Sequence, residues 1–158
     1  MLGTILSIKE VNDVGLSERP SLNGKNGSRL GVNQMLDVVF SGCSKYDGYI
    51  IETTKHKYFI LINNGQSCCE SWGYFSSEDE HDQFINCELK DVRMTDKALN
   101  SVKVEKSGFY EDSGGIQFVD FITDVGIFQI AVYNSHNGYY GHPIYFIKDD
   151  EILLSDTL

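Results

Sequence analysis

Long hydrophobic runs are missing from this sequence. Its most apolar stretches, Tyr58 to Ile62 and Ile127 to Tyr133, are strand-sized and fall far short of the roughly 20 residues that cross a bilayer as a helix. That argues against a transmembrane segment. Cations are also few, with 13 Lys and Arg against 23 Asp and Glu. The resulting charge of −10 argues against nucleic acid or an anionic membrane as a direct partner, while leaving a basic protein partner open. Met1-Leu2-Gly3-Thr4 puts no basic region before an apolar run, so the opening does not read as a secretory signal and cytoplasmic residence is expected. The four cysteines, Cys43, Cys68, Cys69 and Cys87, are then thiols or metal ligands sooner than disulfides. There is no Cys-x-x-Cys pair, no nucleophile elbow and no phosphate-cradling Gly-rich loop ahead of a helix, so no enzyme is expected.

What is present is an ordinary globular composition, 41% hydrophobic and 23% charged over 158 residues, which suits one domain spanning 1–158 with a single core. The clearest local signal is a pair of runs, Tyr49 to Thr54 and Lys57 to Asn63, rich in Ile, Tyr, Phe and Thr and separated by Lys55-His56. They predict a β-hairpin. A second hairpin fits Ile116 to Thr123 and Ile127 to Asn134 around Asp124-Val125-Gly126, where Gly126 can supply a positive φ. In Ile116-Gln117-Phe118-Val119-Asp120-Phe121 the apolar positions recur with period two, the mark of a half-buried strand.

Further strands are expected at Leu2 to Val11, Leu89 to Thr95, Val102 to Lys106 and Ile144 to Ile147, with another apolar run at Met35 to Phe40 and a turn at Gly42 to Gly48. Residues 12–34, with their glycines and small polar side chains, read as a long loop, and 149–158 as an acidic tail in which Ile152-Leu153-Leu154 can dock. A single helix is expected near 77–85, where Ser77 can cap and Glu80 can reach back. The fold class is therefore mainly β (α+β): an antiparallel sheet, or a small barrel-like sandwich, built from hairpins with one short helix.

Both hairpins run into polar, Gly-marked turns that lead to aromatics. The first exits through Asn63-Asn64-Gly65-Gln66-Ser67-Cys68-Cys69-Glu70-Ser71-Trp72, and the second through Asn134-Ser135-His136-Asn137-Gly138-Tyr139-Tyr140-Gly141-His142. This parallel reads either as a decayed duplication or as the shared grammar of hairpins and loops. If both exits lie at one end of a sheet, their side chains form one surface. Gln66-Ser67-Cys68-Cys69-Glu70-Ser71 after a hairpin, Asn137-Gly138-Tyr139-Tyr140 later, and the opening Gly3-Thr4-Ile5 region resemble an uncharacterised domain family found mainly in phages and bacteria. In that family a Cys-Cys-Glu-Ser element follows a hairpin and an Asn-Gly-Tyr-Tyr motif ends a later strand. The resemblance implies a phage or mobile-element origin and transfers no chemistry.

The candidate ligand- or partner-binding residues are accordingly Asn64, Gln66, Cys68, Cys69, Glu70, Ser71, Trp72, His136, Asn137, Tyr139 and Tyr140, small polar groups beside aromatics with a polar handle. Glu78, Asp79, Glu80 and Asp82 form a second, acidic candidate face, able to present phosphate-like charge to a nucleic-acid-binding protein. No cofactor is expected. Zinc through Cys68, Cys69 or Cys87, with Cys43 or His81, suits the ligand types, but the spacing is poor because adjacent strand residues point to opposite faces. A cysteine triad of Cys69, His136 or His142, and Glu70 is drawn only if the two exits converge. The leading reading is a phage or prophage accessory protein that binds and inhibits a bacterial host factor, most plausibly an antiviral defence component such as a CRISPR nuclease. The alternatives are a module that sequesters a nucleotide-like signal and a cysteine-dependent enzyme. Exposed edge strands also allow a homodimer.

Overall fold

The computed structural model describes residues 1–19, 29–33, 44–66, 69–111 and 113–158, most of them extended. In chain order the strands are β1 (Ile5–Arg19), β2 (Arg29–Asn33), β3 (Lys45–Thr53), β4 (Lys57–Asn63), β5 (Glu70–Ser76), β6 (Leu89–Thr95), β7 (Ser113–Thr123), β8 (Ile127–His136), β9 (Pro143–Lys148) and β10 (Glu151–Thr157), with one helix, α1 (Ser101–Ser107), between β6 and β7. All pairing is antiparallel. The architecture is mostly β with a short helix, as the sequence predicts.

Strand β4 explains the layering. It carries five successive apolar or aromatic residues, Tyr58 to Ile62, all buried. Because side chains alternate along a strand, such a run needs cover on both faces. Tyr58, Ile60 and Ile62 join the main core between the two sheets. Phe59 and Leu61 point the other way, into a second cluster with Val14, Tyr46, Ile50 and Ile147. The first sheet therefore curls, in the order β1-β2-β10-β9-β4-β3. Among the described residues its return contact, between β10 and β2, is the single pair Glu151 and Arg29.

The second sheet runs β5-β8-β7-β6. Its inner face places Val119, Phe121, Phe128, Ile130 and Val132 against the first sheet, with the rings of Phe121 and Phe128 stacked at 4.9 Å. Burying each such side chain contributes on the order of 1.5 to 3 kcal/mol. On the outer face the segment 96–111, including α1, is stapled down by polar groups. Gln129 Nε2 donates to the Lys97 carbonyl at 2.9 Å, Tyr133 Oη to the Ser107 carbonyl at 2.9 Å, and Ser135 Oγ to the Tyr110 carbonyl at 3.0 Å.

Several sequence expectations change. The strand expected at Val102 to Lys106 is the helix, because the Asn100 side chain caps it by accepting from the Lys103 amide and Gly108, at φ 80°, ends it. The stretch 77–85 holds only a 3₁₀ turn, Asp82–Phe84. Ser77 spends its groups on β8, donating its amide to the Gln129 carbonyl at 2.8 Å and accepting the Gln129 amide on Oγ at 3.0 Å, so it caps nothing. The loop read over 12–34 is interrupted by structure: β1 continues to Arg19 past a bulge at Asp13 (φ 56°) and pairs with β2. The turn read over Gly42 to Gly48 is over by Lys45, where β3 begins. The tail read at 149–158 is β10, laddered along β9. The apolar run Met35 to Phe40 lies outside the described residues. Among the described residues no helix is long and apolar enough to cross a membrane.

Candidate functional site

The inner face of the second sheet changes character along its length. On β8 the inward residues run Phe128, Ile130, Val132 and then Asn134 and His136, and opposite them on β5 stand Ser76, Tyr74, Trp72 and Glu70. Apolar core gives way to polar groups at one end. That end is also where the chain crosses between sheets, from β4 to β5 through 64–69 and from β8 to β9 through 137–142. The two hairpin exits therefore meet.

Their meeting point is a buried couple. Glu70 Oε2 lies 2.6 Å from His142 Nε2, with the two side chains 1% and 4% exposed. The other ring nitrogen, His142 Nδ1, lies 2.6 Å from the carbonyl oxygen of Asn63 at the end of β4. A carbonyl only accepts, so Nδ1 carries a hydrogen. The Nε2 contact then holds a second proton between imidazole and carboxyl, whether as an ion pair or as a neutral pair. The Trp72 indole stacks on the imidazole at 5.3 Å and 26° and donates through Nε1 to Gln66 Oε1 at 2.8 Å. One imidazole thus joins β4, β5 and the second exit.

Asn134, fully buried beside it, donates through Nδ2 to the carbonyls of Tyr140 (2.8 Å) and Leu158 (2.9 Å). The Leu158 backbone also pairs with that of His142. With two carbonyls fixing the amide's orientation, Asn134 Oδ1 is left buried without a donor among the described residues. His136 Nδ1 accepts the amides of Gly138 (2.9 Å) and Tyr140 (3.4 Å), so the second exit is braced from inside. At its tip Tyr139 is 84% exposed.

The other candidate residues divide. Asn137 is exposed on the same loop as Tyr139, and Tyr140 is half-buried below it. Cys69 is exposed and sits at φ 62°, next to Glu70. Ser71 pairs with Ser135 and lies on the opposite face from Glu70 and Trp72, so it is not part of the cluster. Asn64 serves the first sheet, where its Nδ2 donates to Asp13 Oδ1 at 2.7 Å and Asp47 Oδ1 at 2.9 Å. Cys68 and Cys43 lie outside the described residues. Cys87 and His81 sit at the far end of the second sheet from Cys69, so no zinc site combines either of them with Cys69. Among the described residues no group of three His, Cys, Asp or Glu side chains is arranged to hold a metal.

The acidic face is separate as well. Glu78, Asp79, Glu80 and Asp82 follow β5 at the end opposite Glu70, about 20 Å away at the rise of an extended strand. Asp79 is ion-paired with Lys103, whose ammonium holds that carboxyl below its ordinary range. Nearby, Ser76 Oγ and His81 Nε2 meet at 2.7 Å, but Ser76 is buried and also accepts the Glu78 amide at 3.3 Å. That serine and histidine staple a loop. On the first sheet's side, Tyr74 Oη donates to Glu10 Oε1 at 2.6 Å, and burial together with that carboxylate pushes the phenol up.

Asn134 does not stand out from composition. The signal that finds it is the period-two series Phe128, Ile130, Val132, Asn134, His136, which carries polar side chains onto an otherwise apolar face. His142, by contrast, enters the sequence reading as a candidate base for Cys69 and is found in the structure anchoring the two exits.

A family model described as a domain of unknown function, DUF7448, matches residues 6–146. The chain belongs to the DUF7448 family. No curated protein and no solved structure matches the chain. The DUF7448 match contains both hairpin exits, and so every side chain of the Glu70, Trp72 and His142 contact.

Proposed function

We propose that this DUF7448 chain is a binding protein, and that its recognition surface is the end of the sandwich where the two hairpin exits meet. The observation that carries the reading is Tyr139, 84% exposed on a loop whose base is fixed by His136 and Asn134. A large amphipathic ring shown to solvent on a braced loop loses little conformational entropy on binding and gains a large contact area. His142 has both ring nitrogens engaged and is buried, so it has no free nitrogen to take a proton from Cys69. That weighs against a cysteine-dependent enzyme with His142 as its base. The partner we propose is a basic, nucleic-acid-binding host protein, drawn by the −10 charge. The Cys-Cys-Glu-Ser and Asn-Gly-Tyr-Tyr resemblance supports a phage or prophage origin, action in the bacterial cytoplasm, and an antiviral defence component such as a CRISPR nuclease as target.

The test is cleavage by a panel of purified defence nucleases with and without this protein. Inhibition that Tyr139→Ala abolishes while leaving the melting temperature unchanged is the expected result. No inhibition across the panel, or inhibition indifferent to Tyr139, overturns the reading.

One observation favours a second reading, sequestration of a small nucleotide-like molecule. Among the described residues the buried Asn134 Oδ1 lacks a donor, and a guest bearing N–H or O–H would supply one. Native mass spectrometry of the purified protein separates the two readings: a retained ligand released on heating favours sequestration, and an empty protein favours a macromolecular partner.

A further inference from the structure

The two sheets are built alike. The first contains the meander β1-β3-β4 with β9 added beside β4, and the second the meander β6-β7-β8 with β5 added beside β8. Each meander's next strand in sequence has crossed to the other sheet. The correspondence holds residue by residue. Moving 70 positions along the chain, from Thr53 to Thr123, carries the pairs Ile51 with Tyr58 and Tyr49 with Ile60 onto Phe121 with Phe128 and Val119 with Ile130. The same step, forward from β4 and back from β9, carries the exchanged pairs Ile62 with Ile144 and Ile60 with Phe146 onto Val132 with Tyr74 and Ile130 with Ser76.

The hairpin turns agree in detail. Thr53 donates its amide to the His56 carbonyl at 2.8 Å, and its hydroxyl accepts the amides of Lys55 (3.2 Å) and His56 (2.9 Å). Thr123 donates its amide to the Gly126 carbonyl at 2.8 Å, and its hydroxyl accepts those of Val125 (3.2 Å) and Gly126 (3.1 Å). Each first strand carries a register shift in the same place, between Ile5 and Ser7 opposite Thr53 and Glu52, and between Leu89 and Asp91 opposite Thr123 and Ile122.

Equivalent residues also meet each other, as they do only on a two-fold axis. Thr4 bridges Glu88, with Ile5 N donating to the Cys87 carbonyl at 2.9 Å and Leu89 N reciprocally to the Gly3 carbonyl at 2.8 Å. Trp72 stacks on His142, its own counterpart 70 positions on. The grammar of hairpins accounts for turns and alternation. It does not dictate matched register shifts, an exchanged strand and self-paired residues at both ends of one axis.

We infer that the chain is two copies of one strand-exchanging unit joined end to end, β1 to β5 and β6 to β9, each presenting to the other the surface that a single unit presents to a second copy of itself. The first strands are offset by 84 positions, Ile5 to Leu89, and the hairpins by 70. The first unit is therefore longer between its first strand and its hairpin, the region that contains β2. The axis passes through the Trp72 and His142 stack, so the crossovers from β4 to β5 and from β8 to β9 are equivalent.

The test uses the full chain with a protease site introduced between Asp79 and Glu80, in the exposed link between the units, and a control chain with the site between Asp124 and Val125, inside the second unit's hairpin. After cleavage, the fragments cut at 79–80 are expected to stay together one to one in size-exclusion chromatography and to regain the native circular dichroism after dilution from urea. The control fragments are expected to refold at less than a tenth of that yield. Equal recovery from the two cuts, or loss of structure from the cut between units, overturns the inference.

Discussion

Glu70 and His142, 72 positions apart in sequence, face each other at 2.6 Å in the interior of the sandwich. The contact closes the space between two crossover loops that leave different sheets. It is also the place where mutation should be felt most. Removing one member of a buried, hydrogen-bonded pair leaves the other uncompensated, at a cost of about 3 to 5 kcal/mol. Glu70→Ala and His142→Ala are each expected to lower stability by that order in urea denaturation, and loss of less than about 1 kcal/mol from either would show that the pair is not buried as described.

Tyr58 makes the opposite prediction. Its ring packs between Phe121 and Phe146, its hydroxyl is buried without a partner among the described residues, and burial pushes its phenol up to about 12. A stranded donor costs about 1 to 3 kcal/mol. Tyr58→Phe, which copies the corresponding Phe128, should leave stability unchanged or raise it by about 1 kcal/mol, as read from the urea midpoint. A loss above about 1 kcal/mol would mean that the hydroxyl has a partner.

Gly73 on β5 leaves the space that the Tyr133 ring occupies. A Cβ there would stand 2.6 Å from Tyr133 Oη and 2.9 Å from Cζ, so the Tyr133 ring lies across the glycine and reaches the Ser107 carbonyl at the end of α1. Gly73→Ala should displace that ring and release the helix, costing about 1 to 3 kcal/mol. Hydrogen exchange should show faster exchange of the 101–107 amides, and unchanged exchange there would contradict the packing.

The pH dependence should come through His81. Burial, against the edges of Tyr49 and Phe128, holds its imidazole below the ordinary 6.5; Lys103 adds to this, while Glu78 and Asp82 oppose it. The unfolded chain therefore takes up a proton that the folded chain resists, so the contribution of His81 to stability is full above about pH 6.5 and declines as the pH falls through that value. Urea unfolding between about pH 5 and 8 should show a slope that His81→Gln flattens. An identical slope in the variant would remove His81 from the account.

Much of the fold is legible in the sequence because alternation and turn chemistry are local. Both hairpins, β6 and β9 follow from short runs rich in apolar, β-branched and aromatic residues bounded by turn residues, with clear period-two alternation in β7. The misreadings arise where one residue type serves two ends. Ser77 with Glu80 satisfies the pattern of a helix start, yet the Ser77 amide and hydroxyl are claimed by Gln129, 52 positions away. Asp13 breaks the alternation of β1 by taking a left-handed conformation, which from sequence looks like a strand ending. Acidic residues made β10 resemble a tail, although Ile152 and Leu154 are only half exposed. At the site, the convergence of the two exits follows from the exchange of strands between sheets, which no local pattern encodes. Glu70 with His136 or His142 is drawn from the sequence only if the exits converge, and the fold is what selects His142.

The most direct test is a double-mutant cycle of Glu70→Gln and His142→Asn, measured by urea unfolding at neutral pH. If the two crossovers are locked through this one contact, the single losses will exceed the double loss by at least about 1 kcal/mol of coupling. Losses that add to within about 0.3 kcal/mol would mean that Glu70 and His142 do not meet in solution, and the shared face would go with them.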